Sequence, residues 1–154
     1  MTSDEEFIKK ILVGVDGSNA SYAAARFAAR LASTFGAKLV FFFVATKPFV
    51  KEQVRESKGP LGDIILEQAS EVLDSEKVFC DLREAIAGLV PEEQFDTMCL
   101  AGDPREEFVQ ELLDGSYDLC VLGKMGASKT FASVYGRLNE VVLRETEVPL
   151  LIVG

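Results

Sequence analysis

Lys9–Val44, KKILVGVDGSNASYAAARFAARLASTFGAKLVFFFV, decides the fold. Ile8–Val15 reads as a strand buried on both faces, because from Ile11 onward it is apolar with no polar alternation, which suits the middle of a parallel sheet. Asp16-Gly17-Ser18-Asn19 is a turn and helix-start signal. Ala20–Phe35 places Ala24, Phe27, Ala28, Leu31 and Phe35 at helical spacing, and Gly36 is suited to end the helix in a left-handed conformation. Lys38–Val44 is then a second buried strand, too short for a helix and rich in strand formers.

The same alternation continues outward from this β-α-β unit. Ala45–Pro60 reads as a long loop with Pro48 and a Gly59-Pro60 breaker, of a length that suits a functional role. Leu61, Ile64, Ile65, Ala69, Val72, Leu73, Phe79, Cys80, Ile86 and Val90 form an apolar stripe on one helix or two. Phe95–Leu100 is a third strand. Ala101-Gly102-Asp103-Pro104 turns into a helix with Asp103 as N-cap, Pro104 at its first position and Glu106 completing a capping box; it runs to about Leu113, and Gly115 stops it. Asp118–Gly123 is a fourth strand, Leu138–Glu145 continues a helix, and Val148–Val153 is a last strand. Alternation of this kind predicts one α/β domain over residues 1–154, with a parallel sheet and helices on both faces.

Composition removes several functions. The 154 residues suffice for one domain with a core, and 48% of them are hydrophobic. The longest apolar run, Leu39–Ala45, is far short of the roughly 20 residues a membrane helix needs. The start, MTSDEEF, is acidic and unlike a signal peptide, so a cytoplasmic location is expected. Net charge is −9, from 25 acids against 16 bases, which argues against nucleic acid and anionic membranes as partners. There is no histidine, so Ser-His-Asp and Cys-His hydrolysis and imidazole metal sites are excluded. The three cysteines, Cys80, Cys99 and Cys120, lie in apolar contexts and are expected to be buried thiols.

Open parallel sheets bind ligands at the carboxyl ends of strands, where the winding reverses. Two strands end in unusual chemistry: Val15-Asp16-Gly17-Ser18, and Gly123-Lys124-Met125-Gly126. The first is neither a dinucleotide GxGxxG loop nor a GxxxxGK[ST] phosphate loop, and the third strand lacks the phosphate-accepting aspartate of a receiver domain. The second opens a stretch, Gly123–Arg137, that holds Lys124, Lys129 and Arg137 and no acid, a reversal of sign in so acidic a chain. Glycines let backbone amides approach a phosphate closely, and a helix amino terminus favours negative charge. The same residues also fit a plain role as turn formers with solvated cations.

Gly123-x-x-Gly126, nine residues, then Gly136 matches the spacing of the ATP-binding motif of universal stress proteins, G-2x-G-9x-G-(S/T). Lys9–Val44 resembles that family's first strand, helix and second strand; AGDPREEFVQEL, YDLCVLGKMG and EVPLLIVG resemble its later segments. The resemblance implies a Rossmann-like, adenine nucleotide alpha hydrolase-like fold: five parallel strands in the order 3-2-1-4-5. It also implies a homodimeric, ATP-binding (or AMP- or ADP-binding) regulatory protein of the stress response. Gly14, Val15 and Asp16 would lie near adenosine, the backbone of Val44 would meet the adenine, and Gly123, Lys124, Gly126, Gly136, Arg137 and Leu138 would surround the phosphates. Asp16 would face the ribose or a Mg²⁺ carried by the nucleotide, or cap the first helix, or both. Lys124 would bind phosphate or lie in solvent.

Arg137 stands where the motif has Ser or Thr. Its guanidinium would bind phosphate bidentately, or its bulk would fill the pocket. In the implied order Val148–Val153 is an uncharged edge, the expected surface for a two-fold dimer. Two alternatives stand beside a nucleotide-binding regulator without efficient turnover: an interaction module that no longer binds nucleotide, and a slow ATPase.

Overall fold

The computed structural model describes residues 7–46, 75–124 and 138–154. In chain order these give β1 (Lys10–Gly14), α1 (Asn19–Phe35), β2 (Lys38–Thr46), α2 (helical residues 75–85), β3 (Phe95–Gly102), α3 (Pro104–Asp114), β4 (Leu119–Gly123), α4 (Leu138–Glu145) and β5 (Leu150–Val153). The strands form one parallel five-stranded sheet in the order β3-β2-β1-β4-β5, as the resemblance implied. Most of the long loop read at Ala45–Pro60 and the first part of the apolar stripe lie outside the described residues.

Strand alternation splits the core in two. Ile11, Val13 and Val15 pack with Leu39, Phe41 and Phe43 beneath the alanines of α1 and Phe79, Leu82 and Ile86 of the α2 region. Leu12 packs on the other face with Val40, Phe42, Phe108 and Leu112 of α3 and Val142 of α4. Both faces are covered, which is why β2 reads as an unbroken apolar run. Its three phenylalanines make edge-on ring contacts to both sides, Phe41 with Phe95 at 5.6 Å, Phe42 with Phe108 at 4.9 Å and Phe43 with Phe79 at 6.4 Å. At the amino ends, the Asp118 carboxylate accepts from the Lys9 and Lys10 amides at 2.8 and 3.1 Å, which fixes β4 against β1.

Two expectations are corrected. The buried face of α1 is Ser21, Ala24, Ala25, Ala28, Ala29 and Ala32, whereas Phe27 and Phe35 are 44% and 39% exposed. The helix lies so close to the sheet that only small side chains fit beneath it, so the larger aromatic rings point outward. The cysteines also divide: Cys120 is buried in β4, but Cys80 and Cys99 are exposed. Cys80 stands on the outer side of α2, and Cys99 lies on the edge strand β3. Burial pushes the Cys120 thiol up to about 12.

Gly36 ends α1 at φ 69°, with its N–H donating to the Ala32 carbonyl. The capping read at Asp103 holds: its side chain accepts from the Arg105 amide at 2.9 Å.

Candidate functional site

From β1 the chain winds outward through β2 to β3, then crosses back to β4 and β5 on the other side. The winding therefore reverses between β1 and β4, whose register pairs Val13 with Val121. This is where a crevice opens at the carboxyl ends of a doubly wound sheet. Gly14 ends β1 packed against the α3–α4 core: a Cβ there would lie 2.6 Å from Leu122 Cδ2 and 2.7 Å from Phe108 Cζ. Val15 is a core residue, 3% exposed, and its N–H donates to the Phe42 carbonyl at 2.9 Å.

Asp16 is held in a local ring of hydrogen bonds. One of its carboxylate oxygens accepts from the Ser18 amide at 2.9 Å and from the Ser18 hydroxyl. Ser18 caps α1, its Oγ accepting from the Ser21 amide at 3.0 Å. The Ser21 hydroxyl donates to the Ser18 carbonyl at 2.9 Å and accepts from the Asp16 amide at 3.3 Å. Both serines are buried, so the ring is shielded from competing water. Gly17 makes the turn possible at φ 87°. Asp16 thus does not cap α1 itself; it orients the residue that does. Tyr22, one turn into α1, donates to the Val78 carbonyl at 3.3 Å, and its hydroxyl pKa is raised by burial and then by Asp81 and Asp16.

Across the crevice, a Cβ on Gly123 would lie 2.9 Å from the backbone carbon and oxygen of Ala20. The glycine lets α1 rest on the end of β4 and brings the two loops together. Lys124 follows. Its amide donates to the Val153 carbonyl at 2.8 Å, and its carbonyl accepts from Asn139 Nδ2 at 3.4 Å. Its stem leans toward β5, where a Cβ on Gly154 would lie 2.8 Å from Lys124 Cδ. Leu138, the first described residue of α4, is half-buried against the α3–α4 core. The Val44 side chain is 4% exposed and belongs to that core, so a base beside it would meet backbone.

The structure therefore places Gly14, Val15 and Asp16 on the strand beside the one that ends in Gly123, and sets Lys124 beside Asn139, the neighbour of Leu138 in α4. Val44 stands one strand away, on β2. Gly126, Gly136 and Arg137 lie outside the described residues. Sequence reasoning missed Ser21, Ala20, Asn139 and Gly154; only the helix-start signal around Ser18 pointed toward any of them. Among the described residues no three His, Cys, Asp or Glu side chains gather as a metal site. A single oriented carboxylate suits a Mg²⁺ that arrives with phosphates and waters, not a resident metal. An open depression of about 700 Å³ exists at the opposite end, lined among others by Phe7, Leu112, Tyr117 and Pro149. It lies at the amino ends of the strands, away from the winding reversal.

Fold and topology together define a doubly wound α/β protein whose winding reverses between β1 and β4. The model of the universal stress protein family matches residues 8–154, and the chain belongs to that family. A universal stress protein of Methanocaldococcus jannaschii is 27% identical over 150 residues, covering 97% of this chain and 84% of the relative. Among solved structures, the universal stress protein UspA from Lactobacillus plantarum superposes with a TM-score of 0.71 at 20% identity, over 96% of this chain and 98% of the other. A universal stress protein in complex with cAMP superposes at 0.65 with 19% identity, over 96% and 97%.

Proposed function

We propose that this chain binds ATP, or AMP or ADP, at the carboxyl ends of β1 and β4, with Mg²⁺ brought by the phosphates, and that it acts as a cytoplasmic regulatory homodimer. The observation that carries the reading is Asp16, locked by two buried serines and set across the winding reversal from Gly123. A relative of the same fold holds cAMP, which supports an adenine nucleotide as the ligand class. In this reading Gly14, Val15 and Asp16 face adenosine and the Val44 backbone meets the base. Gly123, Lys124, Gly126, Gly136, Arg137 and Leu138 surround the phosphates. When bound, Mg²⁺ would neutralise phosphate charge beside Asp16. We expect binding without efficient turnover, since the histidine-free chain leaves phosphoryl transfer to positioning and metal alone.

The dimer reading rests on β5, an edge strand whose Ile152 is 43% exposed, with Leu143 of the neighbouring α4 62% exposed. Apolar edges of this kind pair readily with another chain. Ile152→Lys should give a monomer in sedimentation velocity; a wild-type monomer at all concentrations would refute the pairing.

Melting in the presence of Mg-ATP tests the ligand. A ligand at 100 times its Kd stabilises by about 2.7 kcal/mol, so a clear upward shift is expected. Asp16→Ala should reduce it. No shift at millimolar ATP would sink the proposal and favour an interaction module whose pocket Arg137 fills.

A further inference from the structure

We infer that the depression at the amino ends of β4 and β5 is a docking surface for a partner protein that presents a basic, amphipathic segment. The depression holds about 700 Å³ and lies between the end of α3, the start of β4 and the α4–β5 turn. Two large apolar side chains stand open in it, Phe7 at 71% and Leu113 at 60% exposure, beside Tyr117 and Pro149. A single exposed leucine needs no explanation, but two large apolar groups lining one concavity form a contact surface.

The floor is already in place. Tyr117 donates to Glu111 at 2.6 Å, and the Lys10 ammonium lies 4.6 Å over its ring. Gly115 leaves that ring its room, since a Cβ there would collide with Tyr117 Cε2. The Pro149 carbonyl accepts from the Cys120 amide at 2.9 Å and ties the start of β5 to β4. The Thr146 hydroxyl donates to the Val142 carbonyl at 3.0 Å and closes the end of α4. A partner therefore meets a surface that has little freedom left to lose.

The rim decides the partner's charge. Its acids are Asp118, Glu145 and Glu147, and no lysine or arginine is among the described residues that line the depression. Helices that cover a parallel sheet run against its strands, so their negative carboxyl ends gather at the amino ends of the strands. Here α3 ends in Asp114 with no base in its last turn, and α4 ends in Glu145. Acids at helix carboxyl ends work against the fold rather than for it. Arg144, 3.2 Å from Glu145, offsets only part of this sign. Such a field repels nucleic acid and anionic membranes, and disfavours this face docking against its own copy. It attracts a cationic segment, and the open phenylalanine and leucine take that segment's apolar side chains.

The test is fluorescence anisotropy of a labelled helical peptide of leucine and lysine, with its leucines on one face, titrated with the full chain. Binding should weaken as salt rises. Leu113→Ser and Phe7→Ser should each weaken it about tenfold, and because both positions are exposed the urea midpoint should stay unchanged. Glu145→Gln with Glu147→Gln should weaken it about three- to tenfold. Glu76→Gln with Glu84→Gln, exposed acids of α2, should leave it within about twofold. Asp16→Ala should bind the peptide as the wild type does, because Asp16 lies at the other end of the sheet. The inference is overturned if the wild type does not bind the peptide, or if a peptide of the same composition with scattered leucines binds equally well. It is also overturned if the α2 pair matters as much as the rim pair, or if Leu113→Ser and Phe7→Ser bind unchanged. Sedimentation in which Leu113→Ser breaks a wild-type dimer would give the depression to a second copy and overturn it too.

Discussion

A methyl group on Gly123 would press against the carbonyl carbon and oxygen of Ala20 at 2.9 Å, and backbone cannot rotate away. The glycine that marks the phosphate motif is thus also the seat of α1 on β4, and packing alone would require it. Overpacking of this kind costs about 1–3 kcal/mol. Gly123→Ala should lower the melting temperature of the ligand-free protein by about 2–4 °C for each kcal/mol lost. A ligand-free protein that melts unchanged would refute the contact. Substitution here confounds folding with binding, and Asp16 and Lys124 are better probes of the site.

At the scale of the element, α1 shows how far patterning carries. Its ends were legible: Ser18 and Gly36 are strong start and stop chemistry, and both act as such. Its buried face was legible in part: Ala24, Ala28 and Leu31 face the core as read, but hydrophobic spacing also drew in Phe27 and Phe35, while the distance between helix and sheet selects the smaller side chain. Phe27→Lys should therefore change the stability read from urea unfolding by less than about 0.5 kcal/mol, as exposed positions do. Ala28→Leu should cost about 1–3 kcal/mol by overpacking. The reverse order of effects would mean that the helix is rotated. The same logic explains the site. That Asp16 and Gly123 stand at strand ends beside the winding reversal was legible from the alternation of elements, with Gly14 added by the family resemblance. Ser21 lies within local reach of Ser18 and Asp16, whereas Asn139 and Gly154 meet Lys124 only where distant segments come together: the Lys124–Val153 hydrogen bond joins β4 to β5, and Asn139 reaches Lys124 from α4. No local spacing encodes such contacts.

For the whole molecule, the proton balance follows from the same packing. Cys120 is buried between β1 and β5 with its thiol raised to about 12, and Tyr117 is raised by burial and by its 2.6 Å hydrogen bond to Glu111. Both groups hold their protons more tightly folded than unfolded. The unfolded chain releases the thiol proton near pH 8.5, its ordinary value, while the folded chain keeps it, so the native state binds more protons in that window. Stability is then full below about pH 8.5 and falls as pH rises toward the folded value of Cys120. With no histidine in the chain, no side chain of ordinary pKa titrates between about pH 6 and 8, and the profile there should be flat. Urea midpoints measured from pH 6 to 10.5 should show a plateau and then a decline. Cys120→Ala should lower the plateau through the lost packing and make the decline shallower, leaving the part due to tyrosine. A decline of the same steepness in Cys120→Ala would mean that the thiol proton is not the linked group, and that the buried end of β4 is open to solvent at alkaline pH.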